Sequence, residues 1–225
     1  MIIGSLEFKR RIKVEEHIKA KVAKATVILL GNVGQGVLVS GNLIVTAAHC
    51  IDFKCEGDMV LGDHYIEEVL TTLGRLKVRP LAVEPVKDIA VLGSLDDQTF
   101  PGEAERFEEF CTATEPVVVG QGDYDLFQEL PVYIYNGHRG MWIKGSAHLW
   151  AEDEPMLWLE SDEQIEGGTS GGPIVDESGT LVGIVSNMSI NGDNGRKCTG
   201  NFPRLHLALP TWVCRRIFGR EVRRE

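Results

Sequence analysis

Two successive groups of about six short β-branched runs, each closed off by Gly, Asn, Asp or Pro, constrain this chain more than any other feature. The first group reads ATVILL, GVLVS, NLIVTAAHC, GDMVLGD, RLKVRPLAVEP and DIAVLGS. The second reads EPVVVGQG, LPVYIYNGH, MWIKGSAHLW, PMLWLES, GPIVDESG, TLVGIVSN and LHLAL. Strands this short, with turns this close together, predict an all-β fold of two packed antiparallel β-barrels. The same pattern also suits one sandwich, and periodicity alone does not choose. Between the groups, DDQTFPGEAERFEEF is polar and acidic and reads as a connector with one helical turn. VEEHIKAKVAK, from Val14 to Lys24, has helix-like apolar spacing and predicts a short leading helix. PTWVCRRIFGREV predicts a C-terminal α-helix, with Pro210 at its start and arginines further along. The expected organisation is a single domain over 1–225. Barrel one covers about 25–95, the connector about 96–111, barrel two about 112–209 and the closing helix about 210–222.

Composition narrows the function classes. The 225 residues are 43% hydrophobic, ample for a core, and no stretch approaches the ~20 apolar residues of a membrane span. Net charge is −10, with acidic residues dominating between Glu84 and Glu163, so no basic stripe for nucleic acid is expected. MIIGSLEFKRRIK is charged early and shows no secretory signal. Five cysteines (Cys50, Cys55, Cys111, Cys198, Cys214) are an odd number without zinc-like spacing. Reduced thiols and a cytoplasmic location follow as the expectation.

The run EGGTSGGP, ending at Pro173, surrounds Ser170 with glycines. One reading is a tight turn that needs positive φ angles. The other is chemical: glycines leave bare N–H groups around an exposed hydroxyl, the geometry of an oxyanion hole. That reading requires a base and an orienting acid elsewhere. Of the six histidines, His49 ends the apolar run NLIVTAAHC beside small residues, whereas His206 in LHLAL reads as a structural histidine in a strand. Asp88 directly precedes the apolar run IAVLGSL, where a carboxylate is costly unless paired; a strand-initiating turn aspartate is the plainer alternative.

T-A-A-H-C, D-I-A-V-L and G-T-S-G-G-P, in this chain order, together resemble the chymotrypsin/trypsin-like serine protease superfamily. The resemblance extends to GTLVGIVSN and to NFPRLHLALPTWVCRRI, so it covers nearly the whole chain. The wording DIAVL, the sparse cysteines and the close LALPTWV are most similar to the HtrA-type branch, here without a following PDZ-like region. The resemblance implies a trypsin-like fold of two barrels and a serine endopeptidase with Ser170 as nucleophile, His49 as general base and Asp88 as orienting acid. It implies an oxyanion hole from the N–H groups of Gly168 and Ser170. Substrate-binding positions would be Gln164 and Ile165 at the primary pocket and Ser186, Asn187 and Met188 along an extended peptide. Gln164 stands where trypsins carry an aspartate, which argues against selection of Arg or Lys.

Two positions depart from secreted trypsins. Thr169 replaces the aspartate that pairs with a cleaved N-terminus, so activation by that ion pair is not expected. Gly34 stands where the disulfide partner of Cys50 would be, so Cys50 is expected to be a free buried thiol. No metal or organic cofactor is implied. The expected partners are a protein or peptide substrate bound in extended form and an activating partner, with no nucleic acid and no membrane. The competing reading is a protease-fold peptide-binding module with a silent or partner-activated site.

Overall fold

The computed structural model describes residues 15–51, 66–96, 98–121, 128–149, 155–161, 163–186, 188–191 and 197–219. The leading helix is α1 (Glu16–Ala25), which turns its buried Val22 and Ala25 inward and runs directly into β1 (Thr26–Leu29). Then come β2 (Gly34–Val39), β3 (Leu43–Thr46), a 3-10 turn at Ala48–Cys50, β4 (Glu67–Thr71), β5 (Gly74–Glu84) and β6 (Ile89–Gly93). These six strands close into a barrel in the order β1-β2-β3-β6-β5-β4. Closure leaves no strand edge with unpaired backbone groups. β2, β3 and β6 are buried along their whole length, because one face fills the barrel and the other is covered by neighbouring elements. Pro80 lies inside β5, and the register against β6 shifts between Pro80 and Ala82. A residue with no N–H to donate is tolerated at such a bulge.

The acidic connector is more ordered than the sequence reading had it. It carries a full helix, α2 (Pro101–Ala113), with Pro101 in the first turn and Phe107 and Phe110 buried one turn apart. The abundance of Glu had disguised an apolar stripe that packs toward β5. EPVVVGQG forms no strand of its own. It stitches the two halves together instead, with the Val117 N–H bonded to the Leu38 carbonyl (2.9 Å) and the Leu181 N–H to the Val118 carbonyl (2.7 Å). GDMVLGD lies outside the described residues.

The second half contains β7 (Glu129–Asn136), β8 (Met141–His148), β9 (Met156–Ser161), β10 (Pro173–Val175), β11 (Leu181–Ile184), β12 (Met188–Asn191) and β13 (Lys197–Pro203). They form one seven-stranded sheet, ordered β11-β10-β7-β8-β9-β13-β12, that curls into a half-barrel. The fold is therefore mostly β, as expected, with a closed barrel and a curled partner. LHLAL is not a strand. Leu205–Ala208 makes one helical turn, α3, with Leu205 and Ala208 buried. A five-residue apolar run does not distinguish period two from a single helical turn. The closing helix, α4, spans Thr211–Phe218 and ends at Gly219 with φ 77°.

Two cores result. One fills the closed barrel and continues through Tyr133, Val175, Leu181 and Ile184 of the second half. The other lies within the curled sheet around Ile134, Leu159, Ile174 and Phe202. Shared packing of this kind holds the two halves at one fixed mutual position. Gly183 in β11 shows how tight the second core is, since a Cβ there would sit 2.0 Å from the Phe202 ring. Gly183→Ala is expected to lower stability by about 1–3 kcal/mol through overpacking. A urea midpoint equal to that of wild type would show that the Phe202 ring can move aside.

Candidate active site

β3 and β6 are antiparallel neighbours, with Thr46 opposite Ala90. The residues just after β3 and just before β6 therefore meet at one end of the barrel. His49 sits in the 3-10 turn after β3, and Asp88 immediately precedes β6. The His49 backbone N–H donates to Asp88 Oδ1 (3.0 Å), and Nδ1 lies 2.7 Å from Oδ2. The Ser186 hydroxyl donates to the same Oδ2 at 2.6 Å. Asp88 adopts φ 51°, a left-handed conformation that a short polar residue tolerates better than most. Its placement thus depends on both a local turn and three hydrogen bonds.

These contacts polarise the pair. Burial by itself pushes the Asp88 carboxyl up, but the bonds from His49 and Ser186 hold it below its ordinary value. His49 is pushed up to about 10, first by its hydrogen bond to Asp88 and then by the adjacent Cys50 side chain, with burial opposing both. The imidazole is half exposed, and the Asp88 carboxylate is largely covered. An exposed ring bound to a covered carboxylate is a charge pair with one side open to a reactant.

Ser170 lies in the loop between β9 and β10. Within that loop the Thr169 N–H donates to the Glu166 carbonyl (3.2 Å), closing a turn in which Gly168 has φ 88°. Positive φ at the third turn position is the type II pattern and demands glycine. Gly171, at φ 75°, is required for a second reason: a Cβ would lie 2.0 Å from the Gln35 carbonyl oxygen. The backbone on either side is clamped, since the Gln35 N–H donates to the Ser170 carbonyl (2.8 Å) and the Gly171 N–H to the Val185 carbonyl (2.7 Å). These bonds carry Ser170 to the barrel end that holds His49. Among the described residues, no acceptor takes the N–H of Gly168 or Ser170, and the Ser170 hydroxyl makes no hydrogen bond. Two bare donors beside a half-buried hydroxyl can bind a developing oxyanion.

The remaining sequence-derived positions fall differently. Gln164 is exposed, whereas Ile165 is buried in the second core and does not face the open surface. Ser186 is buried, with its hydroxyl on Asp88. Asn187 lies outside the described residues, as does the side chain of Met188. Thr169 is fully buried and accepts from Asn136 Nδ2 at 3.0 Å, so a neutral hydrogen bond occupies the place of an ion pair. Cys50 is a free, buried thiol. A Cβ on Gly34 would lie 2.6 Å from its Sγ, which confirms the adjacency but offers no sulfur. Cys55 and the Cys198 side chain lie outside the described residues. Sequence reasoning missed the Ser186–Asp88 bond and the part played by Gln35. A signal for Gln35 existed, since it is a polar residue within the strand GQGVLV, which is buried throughout.

The electrostatics generate a prediction that does not depend on activity. His49 is raised in the folded state, so its stabilising contribution is complete below about 6.5 and is lost as pH rises toward about 10. Asp88 is lowered, so its contribution is present above the ordinary carboxylate value and lost as pH falls through the folded one. The stability difference between wild type and Asp88→Asn should therefore be greatest in mildly acidic solution and shrink at alkaline pH. An NMR titration should show His49 returning toward its ordinary value in Asp88→Asn. A His49 titration identical in both proteins would assign the shift to another group.

Comparison with known proteins agrees with this architecture. The trypsin-like peptidase domain family matches residues 34–184, two thirds of the chain. A search of curated proteins by sequence found no significant match. Among solved structures, the Rv3671c protease from M. tuberculosis H37Rv in an inactive form is similar with TM-score 0.56 and 18% identity, over 92% of this chain and 93% of that one. The active form of the Rv3671c protease gives TM-score 0.52 and 18% identity over 83% and 79%. The serine endoprotease from Yersinia pestis gives TM-score 0.54 and 18% identity, over 89% of this chain and 64% of the other. At these identities the structures speak for the fold, while the family match spans both the His49 turn and the Ser170 loop. The chain belongs to the trypsin-like peptidase domain family.

Proposed function

We propose that this protein is a serine endopeptidase that cuts a protein substrate bound in extended form. The observation that carries the reading is the His49–Asp88 pair, 2.7 Å apart at the end of the barrel onto which the Ser170 loop is clamped. In this mechanism the Ser170 hydroxyl oxygen attacks the scissile carbonyl carbon and its proton passes to His49 Nε2. Asp88 accepts from Nδ1, selects the reactive tautomer and stabilises the imidazolium. The carbonyl oxygen, now negative, accepts from the Gly168 and Ser170 N–H groups. The C–N bond then breaks, and the leaving amine takes the proton from His49. Water, giving a proton to His49, attacks the acyl-enzyme carbonyl, and the second tetrahedral intermediate collapses as His49 returns that proton to Ser170 Oγ, which releases the new carboxyl terminus and free Ser170.

β12 stands at the edge of the seven-stranded sheet, and an edge strand can pair with an extended peptide as an added strand. Gln164, exposed and uncharged, supports a preference for residues other than Arg or Lys before the cut. The thiols of Cys50 and Cys111, neither of them in a disulfide, support an intracellular substrate in a reducing cytoplasm. A rival reading, a peptide-binding module with a silent site, draws on one observation: the Ser170 hydroxyl is not hydrogen-bonded to His49.

A fluorophosphonate probe separates the two. It should label wild type at Ser170 stoichiometrically and leave Ser170→Ala and heat-denatured protein unlabelled. A folded wild type that stays unlabelled, even with peptide present, would hand the site to the binding module. Ser170→Ala should abolish hydrolysis without changing the melting temperature by more than a few degrees. His49→Ala should abolish it too but also lower the melting temperature, because the largely covered Asp88 carboxylate loses its imidazole partner. His49 is raised to about 10 in the free protein, and a base acts only after losing its proton. The ratio kcat/KM, which reports the ionisation of the free protein, should thus climb from neutral to alkaline pH. A profile that falls over that range would remove His49 from the role of base.

A further inference from the structure

Gln35 takes no part in the chemistry above, yet four hydrogen bonds converge on it. The residue is fully buried. Its backbone N–H donates to the Ser170 carbonyl at 2.8 Å, and its backbone carbonyl accepts from the Thr46 hydroxyl at 2.5 Å. Its side-chain Nε2 donates to the Gly168 carbonyl at 2.8 Å, and its Oε1 accepts from the Gly137 N–H at 2.6 Å. One residue thus joins the strand before His49 through its backbone carbonyl, and its side-chain amide joins the Ser170 loop to the turn between β7 and β8.

The bond to Gly168 bears directly on the oxyanion donors. The Gly168–Thr169 peptide is held at both ends, its oxygen by Gln35 and its N–H by the Glu166 carbonyl. Next to it, Thr169 Oγ1 accepts from Asn136 Nδ2, and Asn136 Oδ1 accepts from the Arg139 N–H at 3.2 Å. Arg139 Nη2 reaches Glu166 Oε2 at 2.7 Å across the mouth of the turn. That outer ion pair is exposed and adds little. The buried amides are different, because leaving either unsatisfied incurs a full desolvation penalty. Gln35 and Asn136 therefore hold the frame within which the Gly168 N–H points free. A glutamate at position 35 would not substitute, since an ionised carboxylate has no proton to donate to the Gly168 carbonyl.

We propose that Gln35 is the positioning residue of the oxyanion loop: its side-chain amide sets the Gly168–Thr169 peptide relative to Ser170, in the role that a buried ion pair at the Thr169 position would otherwise fill. The inference rests on the peptidase reading. Gln35 touches no reacting atom. Its effect reaches the reaction through the placement of the Gly168 N–H.

The test uses full-length Gln35→Met, which keeps the shape and removes both side-chain bonds, and Gln35→Glu, which keeps the acceptor and removes the donor. Misplacing a donor by about an ångström lowers kcat roughly ten- to a hundredfold, with KM nearly unchanged. Affinity for a peptide boronate, whose tetrahedral adduct places an oxygen in the hole, should fall by a similar factor. Binding of the uncleaved peptide to the same variants in a Ser170→Ala background should stay at the Ser170→Ala value. A folded Gln35→Met with kcat and boronate affinity within twofold of wild type would overturn the proposal. So would a failure of both variants to fold, which would make Gln35 structural alone. If the fluorophosphonate leaves wild type unlabelled, the peptidase reading fails by itself, and hydrogen exchange at the Thr169 N–H then decides for Gln35. Gln35→Met should speed that exchange about tenfold or more as the turn loosens. Unchanged exchange would end the inference.

Discussion

The Asp88 carboxylate stands in surroundings that penalise its charge, and much of the molecule is arranged to keep it charged. Burial pushes its proton affinity up, and three donors reverse that: the His49 ring, the His49 backbone and the Ser186 hydroxyl. They come from two distant parts of the chain, His49 and Ser186. The first two depend on the pairing of β3 with β6, and the third on the segment that leaves β11. Had any of these elements shifted by one residue, every side chain would have turned to the opposite face and the carboxylate would be buried without partners. The register of the closed barrel and the electrostatics of the pair are thus a single constraint.

The loop carrying Ser170 answers a different demand. It must show backbone N–H groups to an open cleft while its own carbonyls stay satisfied. Gly168 supplies the positive φ that the turn requires and keeps an N–H that no acceptor takes among the described residues, and Gly171 leaves room for the backbone of β2 to come close. Backbone bonds to Gln35 and Val185 then clamp the serine from two sides. Thr169 shows how such a loop can be ordered without a charge: its hydroxyl meets a buried amide at Asn136. A neutral tether avoids the cost of dehydrating two ions, and it is present from the moment the chain folds.

Legibility in the sequence followed the range of the interaction. TAAHC, DIAVL and GTSGGP were readable because each is a local chemical pattern: small residues beside a histidine, a carboxylate before an apolar strand, glycines about a serine. α2 was read only as a connector, since its glutamates outnumber the two phenylalanines, Phe107 and Phe110, that anchor it. LHLAL was read as a strand because five residues carry too little periodicity. Ile165 was counted near the substrate by spacing from Ser170, yet the loop turns its side chain into the second core.

What the sequence determined by itself was the set of candidate reactive groups and the fold class, because both are written in residue types at short spacing and in the alternation of apolar runs with turn residues. What only the tertiary structure decided was which groups meet and how each is held. Ser186 reaches Asp88 across 98 residues, and Gln35 reaches Gly168 across 133. Contacts at that separation depend on barrel closure, strand register and the packing of one sheet on the other. A hydrogen bond requires its two atoms within about 3 Å, and no local pattern specifies a distance between segments so far apart.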